Sequence, residues 1–180
     1  MSQEVREYAI TYGVKDFLLS KKWDVIAYNP PGSQGTFTIP NPSKDGGYRG
    51  QTGSESPDVI AIKNNVVLIV ECKSSFDLGD SNKMKRLSED AKKMEILNIL
   101  IRRVCAANEI NISGNLKYIY ALAYQGEMHK EKELGFIKVD VSEKFDITEV
   151  PAESSYERFF SASISPASTW ENKVLELFKN

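Results

Sequence analysis

Three charged residues stand where a folded chain rarely leaves charge. Asp58, Glu71 and Lys73 bracket the segment PDVIAIKNNVVLIVECK, residues 57–73. Val59 to Ile62 is a run rich in β-branched residues, and Lys63-Asn64-Asn65 is polar and turn-forming, so the pattern predicts a hairpin. Val66 to Val70 is apolar without interruption, which predicts a second strand buried on both faces. Glu71 and Lys73 lie two residues apart and so project from one face of that strand. Charges at the end of a buried strand are costly unless they are paired or bind a metal. Antiparallel pairing sets the start of the first strand opposite the end of the second, and so brings Asp58 beside Glu71. Two adjacent carboxylates repel, and a hard divalent cation such as Mg²⁺, which takes oxygen ligands and keeps several waters, relieves the repulsion. Lys73 then stands at the edge of the site, near any water the metal activates. The plainer alternative is an ordinary Glu71–Lys73 ion pair at a strand end, worth about 0–1 kcal/mol.

Pro57-Asp58, twelve further residues and then Glu71-Cys72-Lys73 resembles the signature of the PD-(D/E)XK nuclease superfamily, which holds many restriction endonucleases and Holliday-junction resolvases. The letters are common ones; their placement on a hairpin with a buried second strand makes the resemblance specific. It implies an α/β fold with a restriction endonuclease-like core, a mixed central β-sheet flanked by helices. It also implies a Mg²⁺-dependent endonuclease that hydrolyses phosphodiester bonds in double-stranded DNA. Asp58, Glu71 and the backbone carbonyl of Cys72 would hold Mg²⁺. Lys73 would orient or deprotonate the attacking water, or neutralise developing charge, and the sequence leaves these three open. In this superfamily the first helix often adds an acidic residue. Glu7 fits that place, with Glu4 one turn earlier as the alternative; both also fit solvated first-turn acids favoured by the helix dipole. Cys72 alternates away from the charged pair and reads as packing rather than nucleophile. Among superfamily members, a small chain with a Gly-rich insertion before the Pro-Asp looks most like a type II enzyme of a restriction-modification system. The alternatives are a structure-specific nuclease of the resolvase or repair kind, and a noncatalytic nucleic-acid-binding subunit. One site cuts one strand, so duplex cleavage implies a homodimer or a partner subunit.

The elements that must position these residues follow from periodicity. Residues 2 to about 20 read as a helix capped by Ser2, with Val5, Tyr8, Ala9, Tyr12 and Leu19 near one face. Trp23 to Tyr28 reads as the first strand. Residues 29–57 hold six of the eleven glycines and five of the seven prolines. This composition predicts a long loop without packed core, with a small hairpin around Thr36 to Ile39. The loop leads into Asp58 and carries Arg49 among glycines, where it could approach a phosphate or base edge. Ser74, just past the motif, is a candidate DNA contact, and Gly79 to Asn82 read as a loop. A single long helix is expected over about 83–108, with Leu87, Ala91, Met94, Leu97, Ile101 and Val104 as its core stripe. Its first half carries Lys83, Lys85, Arg86, Lys92 and Lys93, a solvated face or a DNA-backbone contact. Its second half, EILNILIRRVC, is apolar nearly all round, which implies burial on more than one side. Residues 117–125 and 135–141 read as strands, 145–150 as a shorter one. A last helix begins at Ser165-Pro166, with Trp170, Val174, Leu177 and Phe178 as its apolar face.

Length bounds the rest. With 180 residues, 41% hydrophobic and 27% charged, the expectation is one nuclease domain over residues 1–180. No run of about 18 apolar residues appears, so no membrane helix is expected. The first residues lack the apolar core of a signal peptide, and two cysteines make no disulfide framework, so an intracellular, cytoplasmic protein is expected. The lone His129, in a charged link, argues against a zinc cluster. A net charge of −2 does not announce a nucleic-acid binder, although a locally basic cleft is compatible with it.

Overall fold

The computed structural model describes residues 7–33, 37–42, 53–75, 77–125, 137–141 and 177. Among them a five-stranded sheet runs in the order β1 (Asp24–Tyr28), β2 (Val59–Lys63), β3 (Val66–Cys72), β4 (Lys117–Gln125), β5 (Ile137–Val141). β2 pairs antiparallel with β1 on one side and β3 on the other, whereas β3, β4 and β5 run parallel. Helix α1 (Glu7–Ser20) precedes the sheet, and α2 (Leu78–Glu89) and α3 (Ala91–Ala107) form the crossover from β3 to β4. This is the α/β, restriction endonuclease-like core, a mixed central sheet flanked by helices. No helix among the described residues is long and apolar enough to cross a membrane.

Each face of the sheet carries its own core. α1 packs Ala9, Ile10, Val14, Phe17 and Leu18 on Val59, Ala61, Val66, Leu68, Val70 and Cys72. On the opposite face Leu97, Ile101 and Cys105 of α3, with Met84 and Leu87 of α2, cover Ile60, Ile62, Val67 and Ile69. Every residue of β3 is buried, as its unbroken apolar run requires. The β2–β3 connection is the two-residue turn Asn64-Asn65, with φ of 50° and 63°. Asn tolerates this left-handed region, and such turns match the twist of the strands they join.

Five expectations need correcting. In α1 the apolar stripe is Ile10, Val14 and Phe17, while Tyr8 and Leu19 are 44% and 48% exposed. The stripe lies about half a turn from the expected face, of whose described residues Ala9 alone is buried. The single helix over 83–108 is two helices, and the presumed loop at Gly79 to Asn82 belongs to α2. Asp77 caps α2 by accepting from Gly79 N at 2.6 Å. Asp90, at φ −86° and ψ 94°, ends α2 and caps α3 by accepting from Lys93 N at 3.0 Å. A short acidic side chain competes well for backbone N–H groups, and this interrupts a helix that hydrophobic period alone would continue. The Gly/Pro-rich segment does contribute core: Phe37 and Ile39 are buried against the α3 side. Ile39 does not sit in a local hairpin but pairs with Glu55, by mutual N–H···O bonds of 2.7 and 2.9 Å.

The apolar half of α3 spends its surface on this same core. Ile96, Leu100 and Val104 pack at its margins, and Ile99 is left 43% exposed. Glu4, Arg49, His129, the strand expected at 145–150 and the final helix lie outside the described residues, apart from Leu177. Leu177 packs against the α1-side core, and its carbonyl accepts from Lys63 Nζ at 2.9 Å.

Candidate functional site

Asp58 and Glu71 meet at the end of the β2–β3 hairpin. The ladder's last pair there is Val59 with Val70, so Asp58 and Glu71 are the next two residues outward. By alternation both belong to the face of Ile60 and Ile69, while Cys72 belongs to the α1 face and is fully buried there. Asp58 is held twice. Its carbonyl accepts from Asn29 N at 2.7 Å, and its Oδ2 accepts from Cys72 N at 2.7 Å. Asn29, itself buried, donates through Nδ2 to the carbonyls of Phe37 and Pro57 and so ties the loop to the motif.

The electrostatics of this pair are unfavourable when it stands alone. Burial, and after it the Asp58 carboxylate, push Glu71 up to about 8. Burial also raises Asp58 above its ordinary value, against the lowering effect of the Cys72 N–H. Burial and the nearby carboxylates hold the Cys72 thiol well above its usual range, which removes it as a nucleophile at neutral pH.

Lys73 departs from the simple strand picture. β3 ends at Cys72, so alternation no longer governs the next side chain, although Lys73 N still donates to Ala123 O at 2.9 Å. Its ammonium reaches Glu7 Oε1 and Oε2 at 3.2 and 3.3 Å, with Asp80 Oδ2 at 3.9 Å. The Glu71–Lys73 ion pair of the plain reading is absent from the described ion pairs. Burial works against the Lys73 charge, but the bond to Glu7 and the field of Asp80 outweigh it, and the ammonium is held above its ordinary value. Glu7, in the first turn of α1, is thereby joined to the motif.

Four further side chains complete the cluster, none of them assigned to it by sequence reasoning. Glu71 is bound by Lys83 of α2, Nζ to Oε1, at 2.5 Å. Lys83 also lies 4.0 Å from Glu55 Oε2, and Lys93 of α3 holds Glu55 Oε1 at 3.1 Å. Asp80 faces Lys73, and its Oδ2 is buried without a hydrogen-bond partner. A signal for two of them was present. Asp80, Lys83, Met84 and Leu87 follow the spacing of one helical face, but only once the helix is begun at Leu78 rather than Lys83. Of the basic residues expected to face DNA, Lys83 and Lys93 turn inward, while Lys85 and Arg86 lie exposed on α2. Ser74 is half-buried just beyond the motif, and Arg49 lies outside the described residues.

A family model, that of the archaeal Holliday junction resolvases (Hjc), matches residues 43–146. This is more than half of the chain, and it runs from before Glu55 through β5. The chain belongs to this family. No curated protein and no solved structure matches it. The Hjc match takes in Glu55, Asp58, Glu71, Lys73, Asp80, Lys83 and Lys93; Glu7 lies ahead of it.

In this Hjc-family chain the donor set fits a divalent cation. Five carboxylates (Glu7, Glu55, Asp58, Glu71, Asp80) are gathered about three ammonium groups (Lys73, Lys83, Lys93), so negative charge is in excess. The buried Asp80 oxygen lacks a donor, and Glu71 is strained toward its protonated form. Among the described residues no group of three or more His, Cys, Asp or Glu side chains is placed to hold a metal ion by itself. Asp58 and Glu71 would have to be joined by a main-chain carbonyl and retained waters, a set of the kind Mg²⁺ accepts.

Proposed function

We propose that the chain is a metal-dependent endonuclease that cuts branched DNA in the manner of a Holliday junction resolvase. What carries the reading is the pairing of Asp58 with Glu71 at the end of a buried hairpin, within the stretch that matches the Hjc family. That match favours a structure-specific nuclease over the sequence-specific type II restriction enzyme expected from the motif and the Gly-rich insertion.

In this reading Asp58, Glu71 and the Cys72 carbonyl hold Mg²⁺. When bound, the ion would supply Lewis-acid activation of the phosphate and of the attacking water. Lys73 keeps its proton, because Glu7 and Asp80 favour the ammonium, so its role is to offset charge developing on the phosphate rather than to act as base. Glu7 and Asp80 fix where that ammonium stands. Lys85 and Arg86, exposed on α2, are available to the DNA backbone. Two such sites are needed to cut two strands, so the active species is a homodimer or a complex with a partner subunit, and a cytoplasmic location follows from the substrate.

The decisive experiment incubates the protein with a synthetic four-way junction, a linear duplex of the same sequence and a plasmid, each with and without Mg²⁺. Paired nicks near the branch point, seen with Mg²⁺ alone, are the expected result. Discrete plasmid fragments would restore the restriction-enzyme reading. Junction binding without cleavage would make the chain a noncatalytic subunit.

A further inference from the structure

The ammonium of Lys83 occupies the carboxylate that a metal ion would need. Its Nζ lies 2.5 Å from Glu71 Oε1 and 4.0 Å from Glu55 Oε2, and so between two carboxylates of which it fully engages one. The body of α2 is fixed beneath it, because Met84 and Leu87 are buried in the α3-side core. Glu55 is equally fixed. Its backbone is bonded in both directions to Ile39, and its Oε1 is taken by Lys93 at 3.1 Å. Its second oxygen faces Lys83 with no closer partner among the described ion pairs.

From this geometry we propose that Lys83 is an internal counter-ion, which neutralises Glu71 while no divalent cation is present and transfers to Glu55 when one binds. The inference rests on the reading of Asp58 and Glu71 as metal-holding residues. A lysine is suited to the exchange. Its charge sits at the end of a flexible stem, so rotation about side-chain bonds moves it the short way to Glu55 without moving the helix. A lysine expelled from Glu71 with nowhere to go would be a partly buried charge without partner, a costly state. Glu55 supplies the alternative seat. Lys73 cannot substitute, being engaged by Glu7 and Asp80. The metal therefore competes with an ammonium for Glu71, and metal loading moves that ammonium onto Glu55.

The test is calorimetric titration of DNA-free protein with Mn²⁺, applied to wild type, Lys83→Gln, Lys83→Met, Lys83→Arg and Glu55→Gln. With the competitor gone, Lys83→Gln and Lys83→Met should bind Mn²⁺ roughly tenfold more tightly or better. Lys83→Arg, which keeps the charge, should stay near wild type. Glu55→Gln should bind more weakly, since the displaced ammonium loses its second seat. Thermal melts accompany each variant, and Lys83→Gln, which keeps a hydrogen bond to Glu71, guards against a folding failure of Lys83→Met. Unchanged or weaker Mn²⁺ binding in folded Lys83→Gln would overturn the counter-ion while leaving the metal site standing. Absence of binding in wild type and all variants would overturn both. Binding seen only once Lys83 is neutralised would support the competition in its strongest form.

Discussion

The Oδ2 of Asp58 accepts the backbone N–H of Cys72 at 2.7 Å, locking the entrance of β2 to the exit of β3. The bond makes Asp58 structural as well as acidic, and the two roles are separable. Asp58→Asn keeps an oxygen that can accept from Cys72 N, whereas Asp58→Ala leaves that N–H without partner, at a cost of about 1–3 kcal/mol. Either change also relieves the repulsion on Glu71. Both variants should lose Mg²⁺-dependent cleavage, and Asp58→Asn should be the more stable by about 1 kcal/mol. Urea midpoints with a junction-cleavage assay check this; full activity in Asp58→Asn would place the metal elsewhere.

Metal-free stability should fall as pH rises through the neutral range. Burial and Asp58, opposed by the Lys83 ammonium, raise Glu71 from 4.5 to about 8 in the folded chain, so proton binding there contributes to stability. That contribution is fully present below about 4.5 and is lost as pH climbs toward about 8, because the unfolded chain then releases the proton more readily. The raised Asp58 acts in the same direction. Ca²⁺ or Mg²⁺ needs the ionised form, so its affinity should rise over the same window and saturating metal should flatten the loss. Melting curves across pH, with and without metal, read both effects. A metal-free melting temperature that rises steadily from mildly acidic to mildly alkaline pH would contradict the assignment.

Removal of Lys73 should cost rate rather than fold. Its ammonium is half-exposed and paired with Glu7, a contact of the kind that adds about 0–1 kcal/mol to stability. If it offsets charge on the phosphate, Lys73→Ala lowers the single-turnover rate by roughly 10²-fold or more. Junction binding in Ca²⁺ should survive, because Asp58 and Glu71 remain. Glu7→Gln and Asp80→Asn should each show a smaller loss, since one carboxylate still holds the ammonium. Near-normal cleavage by Lys73→Ala would remove Lys73 from the mechanism.

The α2–α3 junction offers a test free of any functional assumption. Asp90→Ala removes the side chain that accepts Lys93 N at 3.0 Å, which should cost about 1 kcal/mol, as lost caps do. Lys93 lies just past that cap and grips Glu55, so the variant should also loosen the loop ahead of Asp58. Denaturation midpoints and protease sensitivity near residue 55 report the two effects. A midpoint matching wild type would mean that the junction is held by packing alone.

The hairpin was legible because strand periodicity and burial are local properties: the apolar run Val66 to Val70 could be little other than a central strand, and the register then placed Asp58 beside Glu71. The partners of that pair were not legible. Lys83 and Lys93 looked like members of a solvated basic run, because sequence shows charge but not which way a helix face turns. The turn of the face depended on where α2 begins, and Asp77 and Asp90 set that through hydrogen bonds that leave no trace in hydrophobic period. Glu55 was hidden differently. It belongs to a segment whose glycines and prolines argued against packing, and only its pairing with the distant Ile39 gives it a fixed place. Strand alternation sets Lys73 on the Glu71 face but does not show that its ammonium reaches Glu7 and Asp80, because β3 ends at Cys72.

The turn at Asn64-Asn65 acts as a length gauge for the whole cluster. A strand exchanges its two faces with every residue of slip, so one residue gained or lost there would carry either Asp58 or Glu71 across to the α1 face. The same turn also sets the neighbouring strand. Asn65 O accepts from Lys117 N at 2.9 Å, and Asn65 Oδ1 accepts from Ser113 N at 3.0 Å, fixing where β4 begins. β4 in turn carries Ala123, whose carbonyl receives the Lys73 N–H at the opposite end of the sheet. The spacing of the acidic pair and the anchoring of the lysine are thus calibrated together by two asparagines that touch neither, and an insertion at this turn would disturb both.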